Sequence, residues 1–312
     1  MIILSEMQVL ERMSFELVFK AVEQALIAAA DGSGFVNPVI ISHGLKEGQT
    51  FSIKSGGARL GPIVGLKVGS FWPENLAAGL APHGSSIFLL DPNTGRLMAV
   101  VEANQLNGPR TAAADAVAAC ALARINSETL TLVGAGHQAV YEARALCAVR
   151  PIKRVLITSR TAARSEVLRS KIAAELSVDV EVTGIERACR EADILVTITP
   201  SRVPLFDSKW LRPGVHVATM GSDQKGKQEL PLDLLRRAQL FCDLPSQSIS
   251  IGEFQHVRTD VESGSIALTA IGDVLAKRAQ GRRADDEITV FDSSGLALQD
   301  LFVAVSILQA GK

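Results

Sequence analysis

The sequence predicts an α/β fold in two domains, and three observations support that prediction. The chain has 312 residues, which exceeds the usual size of one domain. A β-rich region with short turns follows an N-terminal helical pattern. From Thr129 onwards, short apolar runs alternate with amphipathic helices, which is typical of βαβ units and a parallel sheet.

The N-terminal region predicts one long helix and a group of short strands. Residues 15–30 carry apolar side chains at helical spacing, and Ser14 precedes them as an N-cap. Strands are predicted at residues 51–54, 63–68, 86–90 and 97–101. A turn-forming cluster at residues 91–96 joins the last two strands into a hairpin, and an Ala-rich helix follows Arg110.

The remainder of the chain predicts the parallel sheet. Strands separated by helices are expected at residues 130–133, 154–158, 180–182, 194–199, 215–220 and 240–241. A further strand is predicted at residues 288–291 and an amphipathic helix at residues 297–308. The polar stretch 280–286 is predicted to be an exposed loop.

Composition and charge exclude several classes of protein. The net charge is −1 with acids and bases interspersed, so no nucleic-acid partner is expected. The most apolar run, residues 112–123, is too short to span a bilayer, and the N-terminus lacks the pattern of a signal peptide. We therefore expect a cytoplasmic protein with no membrane partner. Because no C-x-x-C pair occurs, no metal site is expected, and buried reduced thiols are predicted at Cys120, Cys147, Cys189 and Cys242.

A glycine-rich turn is the sharpest local signal. An apolar strand at residues 130–133 leads into a G-x-G-x-x-A motif that opens a helix. Gly134 permits the tight turn, Gly136 lets the backbone approach a pyrophosphate, and Ala139 allows close packing of helix on strand. This context predicts a nicotinamide dinucleotide site in a Rossmann domain. The predicted cofactor-binding residues of the turn are Gly134, Ala135, Gly136, His137 and Gln138.

The segment beyond the turn bears on the choice of cofactor. NAD-selective sites usually place an acid about 20 residues further on, where it receives the ribose hydroxyls. Residues 157–161 contain no acid, and Arg160 can face a 2′-phosphate with Ser159 and Thr161 donating hydrogen bonds. We predict a preference for NADPH, with NADH as the alternative. A second interpretation is that Arg160 only begins a solvated helix.

Two predicted strand ends carry polar or flexible residues. Open α/β sheets bind ligands at the carboxyl ends of their strands, so Thr197 and Thr199 at one strand end, and Met220 and Gly221 at the next, are predicted to line the cofactor site. Asp223 follows in a loop bracketed by glycines, where a carboxylate can be held beside a nicotinamide. The alternative is that Asp223 only caps a turn.

Two cationic residues stand out in the N-terminal region. Lys67 lies inside an apolar strand, where an ammonium group is costly without a partner. Arg110 begins a helix, and an arginine can grip a carboxylate in bidentate fashion. The alternatives are that Lys67 extends to solvent and that Arg110 pairs at the surface with Asp115 or Glu102.

Taken together, these motifs resemble the ornithine cyclodeaminase/mu-crystallin family along essentially the whole chain. The resemblance is carried by Gly65-Leu66-Lys67, Pro109-Arg110-Thr111-Ala112-Ala113-Ala114, Val133-Gly134-Ala135-Gly136, Met220-Gly221-Ser222-Asp223 with Gly226-Lys227-Gln228-Glu229-Leu230, and Phe291-Asp292-Ser293-Ser294-Gly295. It implies a Rossmann domain, residues 116–289, inserted into a smaller α+β substrate-binding and dimerisation domain formed by residues 1–115 and 290–312. It also implies a homodimer.

The same resemblance assigns roles to residues. Lys67 and Arg110 match the substrate-carboxylate and catalytic positions, Asp223 matches the catalytic acid or base, and Ser293 matches a segment near the nicotinamide. Many members carry a further substrate-binding Arg on a strand where residues 37–43 have none. Either Lys54 or His43 takes over that contact, or the substrate lies differently. His83 and Ser85 are secondary candidates for binding a second substrate carboxylate.

The family contains several reactions. Residues 69–75, 248–256 and 298–301 look most similar to the iminosuccinate reductase branch. This implies an NAD(P)H-dependent reductase of a small 2-imino acid, for example of iminosuccinate to aspartate, with imino and amino acids as ligands. The resemblance leaves two alternatives, an ornithine-type cyclodeaminase that releases ammonia and a non-catalytic NADPH-dependent ligand-binding protein.

Overall fold

The chain folds into two compact units, each with its own sheet. The structure is a computed structural model, and it describes residues 1–59 and 61–311. The first unit contains Met1–Arg110 and the segment that begins at Leu296, and the second contains Thr111–Gly295. The predicted α/β class is confirmed. Among the described residues, no helix is both long enough and apolar enough to cross a membrane.

Helices and strands are numbered here in chain order. The α-helices are α1 (Glu6–Arg12), α2 (Phe15–Asp31), α3 (Asn107–Leu122), α4 (Ala139–Val149), α5 (Ala162–Glu175), α6 (Ile185–Glu191), α7 (Leu232–Arg237), α8 (Pro245–Ile251), α9 (Arg258–Glu262), α10 (Ile271–Leu275) and α11 (Ala297–Ala310). Short 3-10 helices occupy Pro73–Ala78, Ser208–Trp210 and Glu253–Val257. The strands are β1 (Ile2–Leu4), β2 (Gly34–Val36), β3 (Ile40–His43), β4 (Thr50–Ala58), β5 (Ile63–Phe71), β6 (His83–Leu90), β7 (Leu97–Glu102), β8 (Thr129–Val133), β9 (Arg154–Thr158), β10 (Asp179–Val182), β11 (Ile194–Thr197), β12 (His216–Thr219), β13 (Gln239–Cys242), β14 (Leu268–Ala270) and β15 (Thr289–Asp292).

The first unit is built on a mixed sheet with one buried face. Its strand order is β1-β7-β6-β5-β4-β2, and β3 also pairs with β4. Strands β4 to β7 form an antiparallel meander, and β1 runs parallel to β7. On β5, Ile63, Gly65 and Lys67 are buried, whereas Val64 and Leu66 between them are half-buried. Because side chains alternate along a strand, Lys67 points to the same face as this buried set.

The second unit is built on a fully parallel sheet. Its eight strands follow the order β10-β9-β8-β11-β12-β15-β13-β14. The chain runs outward from β8 in one direction through β9 and β10, and then returns to β11 on the other side of β8. This reversal creates a crevice at the carboxyl ends of β8 and β11, where open α/β sheets bind their ligands. The glycine turn lies directly after β8.

Several sequence predictions need correction. The domain boundary predicted after residue 289 cuts through the strand predicted at residues 288–291, but β15 pairs with β12 and β13 of the parallel sheet and belongs wholly to the second unit. The units therefore change after Arg110 and after Gly295 rather than at residues 115 and 289. Cys189 and Cys242 are buried as predicted, but Cys147 is only half-buried and Cys120 is exposed, so the prediction of a buried thiol is wrong at Cys120.

Candidate functional site

The backbone of the glycine turn is shaped to admit a dinucleotide. Gly134 has a φ of +122°, and a Cβ there would lie 2.8 Å from the carbonyl oxygen of Ile198, so only glycine fits. At Gly136 a Cβ would meet nothing within 4 Å, and both Gly136 and His137 are exposed. Ala139 is completely buried at the start of α4. The turn therefore has a rigid base and an open side, which fits a pyrophosphate beside a helix start.

Other residues of the predicted cofactor site are engaged in local contacts. The Gln138 amide donates to Glu142 Oε1 at 2.8 Å, and Ser159 Oγ lies 2.8 Å from Ser165 Oγ. Thr161 N donates to Ser159 Oγ at 3.2 Å, which fixes the loop after β9. Arg160 in this loop is exposed. Its guanidinium can therefore reach an anionic group without first breaking a buried contact.

A buried carboxylate that sequence reasoning missed ties together the carboxyl ends of β11 and β12. Glu229 is 0% exposed and accepts hydrogen bonds from Thr197 Oγ1 at 2.9 Å and Thr219 Oγ1 at 3.0 Å. It also accepts from Thr199 N and Oγ1, both at 2.7 Å, and from Gly221 N at 3.0 Å. Burial raises the pKa of Glu229, and the hydrogen bonds from Thr199 and Thr197 oppose that shift.

The residues predicted to line the cofactor site at the ends of β11 and β12 lie around or beside the Glu229 carboxylate. Thr197, Thr199 and Gly221 are brought together around Glu229, so the Thr197 hydroxyl is already engaged. Met220 is 8% exposed, and its N–H donates to Thr197 O at 2.9 Å. The part of the crevice beside β11 and β12 is therefore fixed before a ligand binds. The only sequence signal for Glu229 was its place in the family motif.

The loop after β12 holds Asp223 by a salt bridge. Asp223 is exposed, and its Oδ1 lies 2.5 Å from Lys227 Nζ. The same ammonium donates to Gly221 O at 3.2 Å. Lys227 is further confined because its backbone oxygen lies 2.7 Å from His256 Nε2. Lys227 was not predicted as a site residue, yet it holds the carboxylate of Asp223, which was predicted.

The segment that contains Ser293 lies over a pair of buried acids. Ser293 Oγ donates to Asp243 Oδ2 at 3.4 Å, and Gly295 N donates to the same oxygen at 2.8 Å. Asp292 precedes Ser293 at the carboxyl end of β15, and Ser248 Oγ donates to its carboxyl group. Burial raises the pKa of Asp292 well above its ordinary value, and the charge of Asp243 adds to the shift. Because Ser293 follows the carboxyl end of β15, it lies at the same edge of the parallel sheet as the glycine turn.

In the first unit, Lys67 and Arg110 come together around one carboxylate. Lys67 Nζ lies 3.0 Å from Asp300 Oδ1, and Arg110 Nε lies 3.0 Å from the same oxygen. Asn107 Oδ1 accepts from Lys67 Nζ at 2.6 Å and from Arg110 NH2 at 3.1 Å. Arg110 NH1 donates to Gln299 Oε1 at 3.0 Å. We call these five residues the cation cluster.

The structure contradicts the two alternatives in which Lys67 extends to solvent and Arg110 pairs at the surface. Lys67 is only 8% exposed and Arg110 only 6%, so neither side chain extends into solvent. Arg110 pairs with Asp300 rather than with Asp115 or Glu102. The Lys67 ammonium has three donor hydrogens, and the hydrogen bonds of the cluster use two of them. The Arg110 guanidinium has five, and the cluster uses three. Donor hydrogens on both cations are therefore left without a partner among the described residues and can serve a ligand.

Charge and burial oppose each other at Lys67. Burial lowers the pKa of Lys67 to about 8, while the Asp300 carboxylate raises it and the nearby Arg110 and Lys54 lower it further. Burial works to raise the pKa of Asp300, but attraction to Arg110 and Lys67 outweighs it, and the pKa lies below its ordinary value. At neutral pH the cluster therefore contains an ammonium, a guanidinium and a carboxylate.

The other predicted substrate residues lie on the same face of the sheet. Lys54 is paired with Lys67 across β4 and β5, and residues opposed in this way point to one face. Ile87 on β6 is the partner of Lys67, and Ser85 and His83 share its face because side chains of every second residue along a strand point the same way. The His83 ring contacts Phe71 with 4.8 Å between centroids, and His83 is exposed. Ser85 Oγ is buried, with no hydrogen-bond partner among the described residues.

Comparison with known proteins identifies the family. The sequence profile of the ornithine cyclodeaminase/mu-crystallin family matches residues 1–310. The chain belongs to this family. It is 36% identical over 316 residues to the iminosuccinate reductase of Paracoccus denitrificans (strain Pd 1222), and the match covers 100% of this chain and 97% of that protein.

Three solved structures resemble this family member closely. The Paracoccus denitrificans iminosuccinate reductase in complex with NAD⁺ has a TM-score of 0.90 at 34% identity and covers 100% of this chain and 96% of that one. The Thermococcus litoralis Δ1-pyrroline-2-carboxylate reductase in complex with NADH and L-proline has 0.91 at 26%, with coverages of 100% and 97%. An archaeal alanine dehydrogenase dimer with bound NAD has 0.91 at 31%, with coverages of 99% and 95%.

These relatives confirm the predicted class at the level of the family. They are nicotinamide-dependent imine reductases and an alanine dehydrogenase, which are oxidoreductases that act on carbon–nitrogen bonds. The predicted nicotinamide cofactor is confirmed at the same level. The relatives in these structures carry NAD⁺, NADH or NAD, so they lend no support to the predicted preference for NADPH.

Proposed function

We propose that this chain is a reductase of small 2-imino acids, which it converts to L-amino acids with a reduced nicotinamide cofactor. The observation that carries the proposal is the cation cluster, in which two buried cations keep unused donor hydrogens. A carboxylate is the ligand that such donors recognise best, and a guanidinium can hold it in a bidentate fashion. The cation cluster would therefore bind a 2-imino acid through its carboxylate and would discriminate against an imine that has no carboxylate.

The proposed mechanism divides the work among a few residues. Arg110 and Lys67 bind the substrate carboxylate and orient the imine, which lowers the entropic part of the barrier. Asp223 passes a proton towards the imine nitrogen, directly or through water, from a position that Lys227 fixes. Gly134, Gly136 and the start of α4 would hold the reduced nicotinamide cofactor, which would supply a hydride for the imine carbon. The positive charge of the cluster keeps the carboxylate in place throughout.

The charge of the cluster favours a substrate with two carboxylates. Lys54 lies near enough to Lys67 to lower its pKa, so a third cationic side chain borders the cation cluster. A second carboxylate on the substrate can interact with that side chain. The side-chain ammonium of a diamino acid such as ornithine would instead be repelled by Lys54. We therefore infer a dicarboxylic imino acid such as iminosuccinate, in preference to cyclodeamination of ornithine.

A comparison of substrates tests this function. Purified protein with reduced cofactor is supplied in turn with freshly generated iminosuccinate, pyrroline-2-carboxylate, or pyruvate with ammonia. We expect kcat/KM for the dicarboxylic imine to exceed the others by at least about tenfold, because one additional charge-assisted hydrogen bond contributes about 1.5–3 kcal/mol. Replacing Lys54 with Met should reduce that ratio. Release of ammonia from ornithine without added cofactor would favour the cyclodeaminase instead.

The preference between the two nicotinamide cofactors is a separate prediction. We propose that Arg160 and the hydroxyls of Ser159 and Thr161 favour the 2′-phosphate of NADPH, since Arg160 is exposed in a loop without a predicted ribose-binding acid. Replacing Arg160 with Ala should raise the Kd for NADPH by about tenfold to a hundredfold and leave the Kd for NADH within about twofold. Equal effects on both cofactors would place Arg160 outside the cofactor site.

We further propose that the chain forms a homodimer through the outer face of the first unit's sheet. The apolar side chains of Leu66, Phe88, Val100 and Ile3 form a row across four neighbouring strands, and Ile3 is 61% exposed. A row of this kind usually marks an interaction surface. Light scattering should give twice the chain mass for the wild type and the single chain mass for Leu66→Glu. A monomeric wild type would contradict the proposal.

A further inference from the structure

Asp300 holds both cations of the cluster with a single oxygen atom. It is the fourth residue of α11 and is 0% exposed. Its Oδ1 accepts from Lys67 and from Arg110, each at 3.0 Å, whereas Oδ2 has no hydrogen-bond partner among the described residues. A carboxylate that served only to neutralise Arg110 would use both oxygens in a bidentate pair. This arrangement therefore restrains two cations without saturating either.

The remaining partners of the two cations are neutral. Asn107 Oδ1 accepts from both Lys67 and Arg110, and Gln299 Oε1 accepts from Arg110. Gln299 is itself fixed, because Leu296 N donates to the same oxygen at 3.1 Å. Neutral amides orient the cations but remove none of their charge. Among the described residues, Asp300 is therefore the carboxylate whose charge offsets that of the pair.

We propose that Asp300 is a positioning residue for imine reduction. It keeps Lys67 as an ammonium and fixes the direction of the Arg110 guanidinium. The two cations and Asp300 together then retain one net positive charge for the substrate carboxylate. The inference rests on the proposed function and goes beyond it, because it assigns control of the charge at the substrate site to a residue that need not touch substrate. Without a carboxylate here, two buried cations would repel each other and Lys67 would lose its proton.

The charged groups around Lys67 give the direction of the effect. Lys54 faces it from β4 and Arg110 from α3, and both lower the pKa of Lys67, whereas Asp300 on α11 raises it. Removing the charge of Asp300 must therefore lower the pKa of Lys67 further from about 8. The ammonium would then be lost at a lower pH than in the wild type.

Binding of succinate tests this inference without any chemical step. Succinate carries two carboxylates and no imine, and its affinity for the protein saturated with NADH can be measured by calorimetry from about pH 6 to about pH 10. In the wild type the affinity should fall as Lys67 loses its proton. In Asp300→Asn the midpoint of that fall should move to lower pH by about one unit or more, because an adjacent opposite charge shifts a pKa by about 1–3 units.

Three further variants separate charge from structure. Asp300→Glu should restore the wild-type midpoint, and Asp300→Ser, which leaves room for water, should reproduce the shift if Asp300→Asn fails to fold. Asn107→Ala removes a neutral acceptor from both cations, so it should weaken binding with an unchanged midpoint. A wild-type midpoint in the uncharged variants would overturn the role of Asp300. Absence of succinate binding to the wild type would instead contradict the carboxylate site of the proposed function.

Discussion

Replacing Lys67 with Met is expected to lower kcat/KM for imine reduction by about tenfold to a hundredfold, since a charge-assisted hydrogen bond to the substrate carboxylate contributes about 1.5–3 kcal/mol. The substitution keeps most of the side-chain volume and removes the ammonium that lies between Asn107 and Asp300. It also leaves the Asp300 carboxylate with Arg110 as its remaining partner in the cluster. Steady-state kinetics with freshly generated imine and both reduced cofactors would measure the effect.

A matched control separates loss of this ammonium from general loss of charge. Lys20 on α2 is an exposed lysine paired with Glu16 at 2.7 Å, and its side chain is 66% exposed. Lys20→Met should therefore leave kcat/KM within about twofold of the wild type, because exposed pairs contribute about 0–1 kcal/mol. If Lys67→Met also retained kcat/KM within about threefold, Lys67 would have no part in substrate binding or proton transfer.

Replacing Gly136 with Val is expected to weaken NADH binding by at least about a hundredfold without a loss of stability. A Cβ at Gly136 meets nothing within 4 Å, so the protein itself can accommodate the new side chain. The added methyl groups would occupy the open side of the turn, where the pyrophosphate must approach. Titration followed by nicotinamide fluorescence gives the Kd, and thermal unfolding gives the stability.

The chain offers a close control for this substitution. Gly184 precedes α6, and a Cβ there also meets nothing within 4 Å. Its φ of −70° is ordinary for any residue, so Gly184→Val should fold and bind NADH like the wild type. Unchanged NADH binding in Gly136→Val would mean that the dinucleotide does not lie over the turn.

The parts of the fold predicted from sequence are those with strong local patterns. The βαβ alternation and the G-x-G-x-x-A motif placed β8, the turn and α4 correctly, because each rests on a few adjacent residues. Strands β1, β2 and β14 have three residues each and were missed, since a short strand is defined by its pairing partner rather than by its own periodicity. Strand β15 was predicted, but the domain boundary placed within it was wrong, because the unit of a short strand is decided by its pairing partners.

The candidate site shows where local reasoning ends. The sequence required a partner for a buried lysine, and the structure supplies Asp300, which lies 233 positions further along the chain. No periodicity or spacing connects two residues so far apart. Glu229 is similar, because its donors come from two different strand ends and its place in the family motif does not identify them. Residue type can thus predict that a charge needs a partner, whereas the partner's identity depends on tertiary structure.

The central claim is that this chain transfers a nicotinamide hydride to the carbon of a carboxylate-bearing imine. The most direct measurement combines purified protein, NADH deuterated at both C4 positions and freshly generated iminosuccinate, with mass spectrometry of the aspartate formed. We predict deuterium on Cα of aspartate, accumulating in step with oxidation of the cofactor. If neither NADH nor NADPH were oxidised with iminosuccinate, pyrroline-2-carboxylate, or pyruvate and ammonia, the proposed function would be contradicted.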